Sequence, residues 1–315
     1  MTPEAHAAVT AALAQTGYIP NQAARTLVMR RTGAVAVVVS SAGGNEDEDQ
    51  AISHVFSDPF FGAIVTATVR ALRARGVHPL LMLADSHHAR VRALEFIAAG
   101  STDGTLLVST HTDDPMPLML VNARRPVVAF ARPVMSTQLS YVDVSGGEGG
   151  RMAARHLIER GRTVLGVIGV TGDFAMPSII DRVTGFREQA AQRGIGHVAQ
   201  ADGDLTVDGG AAAARRLLAA HPALNGIFSC NDPMAEGVLQ VLRELGRDVP
   251  GDVSVIGFDD SSVALRTVPP LTTVRQPMTA MAEHMADLLM NRIAEPDSAP
   301  MSVILTPELV VRKSA

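Results

Sequence analysis

The chain has 315 residues, of which 47% are hydrophobic and 3% aromatic, and its formal net charge is −5. This composition allows two domains with sizeable cores and excludes a generally basic surface, so any contact with nucleic acid must come from a local basic segment. The single cysteine, Cys230, excludes an intrachain disulfide framework. We find no signal-peptide pattern and no apolar run of about 18 residues, so we expect a cytoplasmic protein without a membrane span.

Residues 1–32 differ in kind from the rest of the chain. Thr2 as N-cap, Pro3 at the first helical position and Gly17 just past the end predict one helix. Its apolar face is small, so it needs a tertiary partner. A second short helix over "NQAARTL" is expected to begin near Asn21. The segment therefore indicates the tail of a helical domain followed by a basic stretch.

From Gly33 onward, short apolar runs alternate with amphipathic segments, which predicts βαβ units around parallel sheets. One set of predicted strands covers 34–39, 79–84, 104–109 and 126–131, and a second covers 163–170, 197–201, 225–230 and 253–258. Predicted helices include 63–76, 151–161, 182–194 and 208–222. The fold class is therefore α/β, with two doubly wound parallel-sheet lobes.

The last part of the chain predicts three crossings between these lobes: the strand 271–277, a Met-rich helix 278–294 and a final strand pair. We therefore expect a first lobe of 33–143 plus about 278–300, and a second of 144–277 plus about 301–315. The acidic stretch "AGGNEDEDQAIS" (42–53) is interpreted as a solvated insertion.

Several stretches carry a family resemblance. The segments "TPEAHAAVTAALAQTGYIPNQAARTL", "DPFF", "STDG", "HLIERG", "DRVTGF", "IFSCNDPMAEGVLQVLRELGRDVPGDVSVIGFDD" and "PPLTTVRQP" resemble the LacI-type family of bacterial transcriptional repressors, over essentially the whole chain. The resemblance implies a three-helix DNA-reading head, a hinge helix and a two-lobed sensor of the periplasmic-binding-protein-like type. It begins at the head's third helix, so the first two helices are expected to be missing; a GTG valine codon misassigned as the start, or a real loss, would account for this.

The same resemblance implies DNA contacts in the basic segment. "NQAARTL" corresponds to the hinge helix, and Leu27 to a leucine that wedges into a minor-groove base step. Asn21, Arg25 and Arg30 are the further predicted DNA-binding residues. A plain linker with solvated arginines is the alternative. Without a helix for the major groove, we expect weak, salt-sensitive DNA binding with little sequence preference.

A ligand site is expected between the lobes, outside the carboxyl ends of the parallel strands. Arg182, opening the helix after 163–170, is predicted to lie exposed in the cleft and to bind hydroxyls or a carboxylate with its guanidinium fork; a salt bridge is the alternative. Asp259, directly after "VIGF", is predicted to accept hydrogen bonds from two hydroxyls, or else to cap the following turn. Asn231 is predicted to contact the ligand, whereas Asp232 is expected to be a helix N-cap.

The resemblance implies further ligand-binding residues. Ser40 and Gln276 match family ligand positions, with loop hydrogen bonding as the alternative. Phe61 is expected to lie against a sugar or base face, while Phe60 belongs to the core.

Two departures from the family pattern affect the expected ligand. Leu205 stands where many members carry a stacking aromatic ring, and Ala131 stands where many have an aspartate. Arg132, and more weakly Ser178, are expected to compensate. The remaining polar set favours a sugar or another polyol, with a purine or a carboxylated sugar left open.

No catalytic, metal or cofactor motif is complete. "SGGEGG" (145–150) lacks the order of a P-loop or of a dinucleotide-binding turn and is interpreted as a glycine-rich crossover. Cys230 has no assignable histidine partner and is expected to be buried, and the pair His87-His88 is interpreted as a loop. We therefore predict a non-enzymatic, homodimeric, ligand-responsive repressor whose partners are a small effector and operator DNA. The alternative is a cytoplasmic or periplasmic solute-binding protein without DNA reading.

Overall fold

A computed structural model of the protein describes residues 31–40, 59–109, 114–134, 138–170 and 176–315, together with 2, 4, 5, 12 and 15. Near the N-terminus, the Ala5 backbone N–H donates to Thr2 Oγ1 at 3.4 Å, as expected of a helix N-cap. The predicted DNA-binding residues and the acidic stretch lie outside the described residues: Asn21, Arg25, Leu27, Arg30 and 42–53.

The described strands and helices alternate along most of the chain. The strands are β1 (Ala34–Ser40), β2 (His78–Ala84), β3 (Gly104–Ser109), β4 (Val127–Phe130), β5 (Ser140–Val144), β6 (Leu165–Gly169), β7 (Val198–Asp202), β8 (Gly226–Ser229), β9 (Ser254–Asp259), β10 (Thr272–Arg275), β11 (Ser302–Leu305) and β12 (Glu308–Val310). The helices are α1 (Pro59–Ala74), α2 (His87–Ala98), α3 (Met116–Asn122), α4 (Gly146–Glu159), α5 (Pro177–Gln192), α6 (Val207–Ala220), α7 (Asp232–Glu244), α8 (Ser262–Arg266) and α9 (Met278–Ala294). Among them, no helix has the length and apolar character needed to cross a membrane.

The strands form two six-stranded sheets, one in each lobe. The order is β11-β5-β4-β3-β1-β2 in the first sheet and β12-β10-β9-β8-β6-β7 in the second. All neighbouring strands are parallel except β12, which runs antiparallel to β10. The carboxyl ends of the parallel strands therefore meet at one edge of each sheet, which is where such sheets bind ligands.

Two features of the topology differ from the sequence prediction. Strand β5 was not predicted, because its apolar residues alternate with Tyr141 and Asp143 instead of forming a continuous run. The final two strands do not pair with each other, since β11 joins β5 in the first sheet and β12 joins β10 in the second. The first lobe therefore extends through Leu305, beyond the predicted boundary near residue 300.

Each sheet is covered by helices on both faces. In the first lobe, Val35, Val37 and Val39 of β1 pack in one buried cluster with side chains of α1 and α9, while Ala36 and Val38 pack in another with α2 and α3. Burial on both faces explains why β1 is a continuous apolar run. In the second lobe, three stacked or tilted rings extend through the core, Phe186 on Phe228 at 5.1 Å and Phe228 on Phe258 at 6.5 Å.

The glycine-rich stretch 145–150 is not a crossover loop but the first turns of α4. A Cβ atom at Gly150 would overlap the backbone carbonyl of Arg182 in α5, and one at Gly185 would overlap the carbonyl of Gly147. The absence of these Cβ atoms lets the two helix backbones almost touch. This contact sets how deeply α5, and with it Arg182, sits in the second lobe.

We expect Gly150→Ala to lower the free energy of unfolding by about 2 kcal/mol, because the added methyl group must push α5 away from α4. Gly62→Ala is the matched control, since Gly62 lies in α1 with nothing within 4 Å of an added Cβ. That control should raise the unfolding free energy by about 0.5–1 kcal/mol through helix propensity. Urea denaturation measures both, and equal effects of the two variants would contradict the close helix contact.

Candidate ligand-binding cleft

The centre of the candidate site is the buried side chain of Arg182 on α5. Its Nη1 donates to the backbone carbonyl of Cys230 at 2.5 Å and lies 3.6 Å from Asp259 Oδ1. The guanidinium carbon lies 3.6 Å from the centroid of the Phe258 ring, a cation–π contact. The side chains of Arg182 and Asp259 are each only 8% exposed. The expectation that Arg182 lies exposed in the cleft is therefore wrong.

Phe258 was missed by sequence reasoning, because a phenylalanine inside an apolar strand looks like any other core residue. Its ring face becomes a support for a charge only when α5 packs across β9. Arg182 Nε is buried and has no hydrogen-bond partner among the residues that the structure describes. Because buried N–H groups are almost always satisfied, this donor is suited to an acceptor brought by a ligand.

Asp259 is held beside Arg182 by a second polar contact. Gln276, which follows β10, donates from Nε2 to Asp259 Oδ1 at 2.6 Å. The backbone φ angles of Asp259 and Asp260 are 107° and 54°, in the left-handed region that residues other than glycine rarely adopt. The following helix α8 is capped by Ser261, whose Oγ accepts from Val263 N at 3.3 Å. Ser261 therefore caps the following helix, and the Asp259 carboxylate faces Arg182 and Gln276.

The helix N-cap expected at Asp232 is provided by Asn231 instead, and the contact of Asn231 with a ligand stays a prediction. Asn231 is the N-cap of α7: its Oδ1 accepts from Met234 N at 2.9 Å, and its Nδ2 donates to the Leu205 carbonyl at 2.8 Å. The prediction that Asp232 is the cap is wrong, because its carboxyl group is fully buried and accepts hydrogen bonds from Ser261 N and from a threonine hydroxyl. The Leu205 backbone, with φ of 72°, is held by Asn231.

The buried carboxyl group of Asp232 supports the turn that carries Asp259. Its Oδ2 lies 2.7 Å from Ser261 N, and its Oδ1 lies 2.5 Å from Thr273 Oγ1. Burial raises the pKa of Asp232 well above its usual value, and the negative charge of Asp259 acts in the same direction, while the hydrogen bonds from Thr273 and Ser261 oppose the shift. The pKa of Asp232 therefore depends on the hydrogen bond that this carboxyl group accepts from Ser261 in the turn.

In the first lobe, Ser40 and Phe61 lie near the carboxyl edge of the sheet. Ser40 is buried at the end of β1 and donates from Oγ to the Ala84 carbonyl at 3.3 Å. Phe61, in the first turn of α1, is half-buried and lies edge-on to Phe60 at 5.2 Å, and Phe60 in turn contacts Phe130 at 5.5 Å. Both predicted residues thus have structural contacts, and their contact with a ligand stays a prediction.

Arg132 joins the two lobes. It follows β4 of the first sheet, and its Nη2 forms an ion pair at 2.9 Å with Asp181 on α5. Its backbone N–H donates to Asp143 Oδ2 at 3.1 Å, and burial raises the pKa of Asp143 while the charges of Arg132 and Arg182 oppose that shift. Asp181 and Asp143 were not predicted, since neither follows an apolar run as Asp259 does.

A cavity between the lobes brings Arg132 close to Ser178. Its walls are Ser109, Asp114, Pro117, Ala129, Phe130, Ala131, Arg132, Pro133, Val134, Met176, Pro177 and Ser178. Asp114 is buried and accepts hydrogen bonds from Ser109 Oγ at 2.7 Å and from Met116 N at 3.0 Å. Arg182, Asp259 and Gln276 therefore form a charged centre in the second lobe, and Arg132 and Ser178 line the cavity between the lobes.

The residues considered for other chemistry have structural roles. Cys230 is fully buried, and burial raises the pKa of its thiol to about 12, so a thiolate is disfavoured. His87 and His88 form the start of α2 behind the N-cap Ser86, and not a loop. In the described part of the chain, no group of three or more metal-ligating side chains comes together.

Comparisons with known proteins agree with this geometry. The family model of the periplasmic binding protein-like domain matches residues 154–315. The HTH-type transcriptional regulator CelR of Thermobifida fusca is 39% identical over 318 residues, covering all of this chain and 90% of that protein. The chain belongs to the LacI family of transcriptional regulators.

A second relative and a solved structure support the assignment. The ribose operon repressor of Escherichia coli K12 is 30% identical over 316 residues, covering 98% of this chain and 90% of that one. A solved transcriptional regulator CelR–cellobiose complex is 37% identical with a TM-score of 0.81, covering 100% of this chain and 92% of that one. The resemblance noted in the sequence and the predicted two-lobed α/β class are thus confirmed.

We expect Arg182→Ala to lower the unfolding free energy of the ligand-free protein by about 3 kcal/mol, because it removes a buried cation and leaves Asp259 without it. Arg187→Ala, an exposed position on the same helix, is the control and should change it by less than about 0.5 kcal/mol. Chemical denaturation measures the unfolding free energies of both variants. Equal values for Arg182→Ala and Arg187→Ala would contradict the burial of the Arg182 side chain.

The buried carboxyl of Asp232 predicts a pH dependence of stability. Since burial raises its pKa in the folded state above the usual 3.8, its stabilising contribution is fully present below the usual pKa and is lost as the pH rises through the raised value. The unfolding free energy of the natural protein minus that of Asp232→Asn should therefore fall as the pH rises from about 4 to about 8. A flat or rising difference for Asp232→Asn would show that the pKa of Asp232 is not raised.

Proposed function

We propose that this LacI-family regulator binds a sugar effector between its lobes, and that cellobiose is the first sugar to test. The observation that supports this most directly is the buried group of Arg182, Asp259 and Gln276 at the carboxyl ends of β9 and β10. The similarity to the CelR–cellobiose complex supports the choice of sugar. The effector would act by altering binding of a homodimer to operator DNA.

The chemistry of the charged centre suits neighbouring hydroxyl groups. A sugar hydroxyl both donates and accepts, so it can accept from the Arg182 guanidinium while it donates to the Asp259 carboxylate. The ring of Phe258 and the carbonyl of Cys230 hold the guanidinium in place. These contacts are formed before binding, so little ordering cost falls on the site.

We further propose that the effector acts by a shift between two arrangements of the lobes. Arg132 and Asp181 join the lobes through an ion pair whose side chains are 48% and 44% exposed, and such a pair contributes little by itself. A ligand that contacts both lobes can therefore change their relative populations if it binds one arrangement better than the other. Whether the effector releases the operator or strengthens binding depends on which arrangement places the DNA-binding heads correctly.

We also propose that the protein acts in the cytoplasm and carries out no reaction on its effector. The sensor would bind and release the sugar unchanged. The alternative of a solute-binding protein without DNA reading is not favoured, because the compared relatives are transcriptional regulators over nearly their whole length.

Calorimetric titration with cellobiose, ribose, a sugar acid and a purine base tests the effector class. We expect binding of a sugar, and at a free concentration of about 100 times Kd a stabilisation of about 2.7 kcal/mol in thermal unfolding. Asp259→Asn should weaken binding by about tenfold or more, because it loses a charged acceptor. Asp297→Asn should bind as the natural protein does.

The outcomes of this titration separate the alternatives. Binding of the purine alone, or sugar binding unaffected by Asp259→Asn, would contradict the proposed site. Mass spectrometry of the recovered sugar should show no chemical change, and turnover would contradict a purely regulatory role. A gel shift with the gene's own upstream DNA, with and without the sugar, then measures the regulatory response.

A further inference from the structure

The C-terminal tail reaches the turn that carries Asp259. Arg312 lies just after β12, and its Nη2 donates to Asp260 Oδ1 at 2.5 Å. Its Nη1 donates to the Leu271 carbonyl at 2.8 Å, and its backbone N–H donates to Thr272 Oγ1 at 2.9 Å. The side chains of Arg312 and Asp260 are only 15% and 10% exposed, so this is a largely buried ion pair.

A second arginine occupies the other oxygen of the same carboxylate. Arg275, at the end of β10, donates from Nε to Asp260 Oδ2 at 2.7 Å, and its Nη1 lies 3.4 Å from Glu308 of β12. Both oxygens of Asp260 are thus held by arginines from two different parts of the chain. Asp260 is therefore committed to these arginines, whereas its neighbour Asp259 faces Arg182.

The backbone of this turn needs such anchoring. Asp259 and Asp260 both have positive φ angles, a conformation that persists in residues other than glycine only when the surroundings hold it. Two backbone groups of the turn are also held by side chains of the same lobe: Asp260 N donates to Thr273 Oγ1 at 3.4 Å, and Ser261 N donates to the buried carboxyl group of Asp232. The ion pair with Arg312 is the contact that ties this turn to the C-terminal tail.

We propose that Asp260 and Arg312 are positioning residues for the effector site. By holding the turn, they keep the Asp259 carboxylate 3.6 Å from Arg182 Nη1 and 2.6 Å from Gln276 Nε2. The C-terminal tail thereby contributes to effector affinity without contacting the effector. The proposal rests on the proposed function, since it assigns Asp259 to ligand binding.

Two variants test the pair from its two sides. Asp260→Asn keeps a residue that tolerates the left-handed backbone but removes the charge, and Arg312→Gln removes the guanidinium fork. We expect each to raise the Kd for cellobiose by about tenfold or more. The double variant should do no more than Asp260→Asn alone, because Asp260→Asn already removes the ion pair that Arg312→Gln breaks, together with the pair to Arg275. Arg312→Lys, which retains the charge but not the fork, should recover part of the affinity.

The control is Arg215→Gln, which breaks an ion pair with Glu244 whose side chains are 57% and 58% exposed in the same lobe. It should leave the Kd unchanged. A merely structural role would lower thermal stability in the pair variants while cellobiose bound the remaining folded protein with unchanged Kd. That result, or additive effects in the double variant, would overturn the proposal.

Crystal structures of Asp260→Asn and Arg312→Gln keep the test independent of effector identity. We expect the Arg182–Asp259 distance to lengthen beyond 3.6 Å and the Asp259 φ angle to move from 107°. An unmoved Asp259 would overturn the positioning role even if sugar binds. If the natural protein binds none of the sugars, the proposed function fails, while the position of Asp259 still decides the structural part of this inference.

Discussion

The burial of one guanidinium group is the constraint on which the rest of the site depends. A buried charge is costly unless it is paired and hydrogen-bonded. Arg182 pairs with the Asp259 carboxylate, donates to the Cys230 carbonyl and lies against the face of Phe258. These groups come from the ends of neighbouring strands β8 and β9. These groups converge only when the second sheet has its parallel register, so the site and the core of this lobe form together.

The depth of α5 connects helix packing to this chemistry. Gly150 and Gly185 let α4 and α5 approach until backbone meets backbone, and Arg182 is the residue whose carbonyl faces Gly150. The same residue thus contributes its backbone to a helix contact and its side chain to the cleft. A change in this packing would move the guanidinium relative to Asp259. The close approach of the two backbones also explains why the glycines of 146–150, which resemble a flexible loop in sequence, lie inside a helix.

The second lobe carries Arg182, Asp259 and Gln276 of the charged centre, while a more exposed ion pair links it to the first lobe. Asp232, Thr273 and Gln276 fix the strained turn of Asp259 by buried hydrogen bonds. Between the lobes, by contrast, the described ion pair of Arg132 and Asp181 is half exposed. Buried hydrogen bonds within one lobe and an exposed ion pair between the lobes suit a sensor in which ligand contacts shift an equilibrium between lobe arrangements.

The local sequence pattern predicted many of the elements and part of the candidate site. The apolar runs located most strands, and helix 278–294 was predicted with its observed bounds. The positions that follow predicted strands pointed to Arg182 and Asp259. These signals depend on neighbours in the chain, so sequence carries them. Only the tertiary structure decided that Arg182 is buried and that the final strands enter different sheets. The reason is sequence distance, since Cys230 is 48 positions from Arg182 and Arg312 is 52 positions from Asp260, and no local periodicity encodes which distant groups meet.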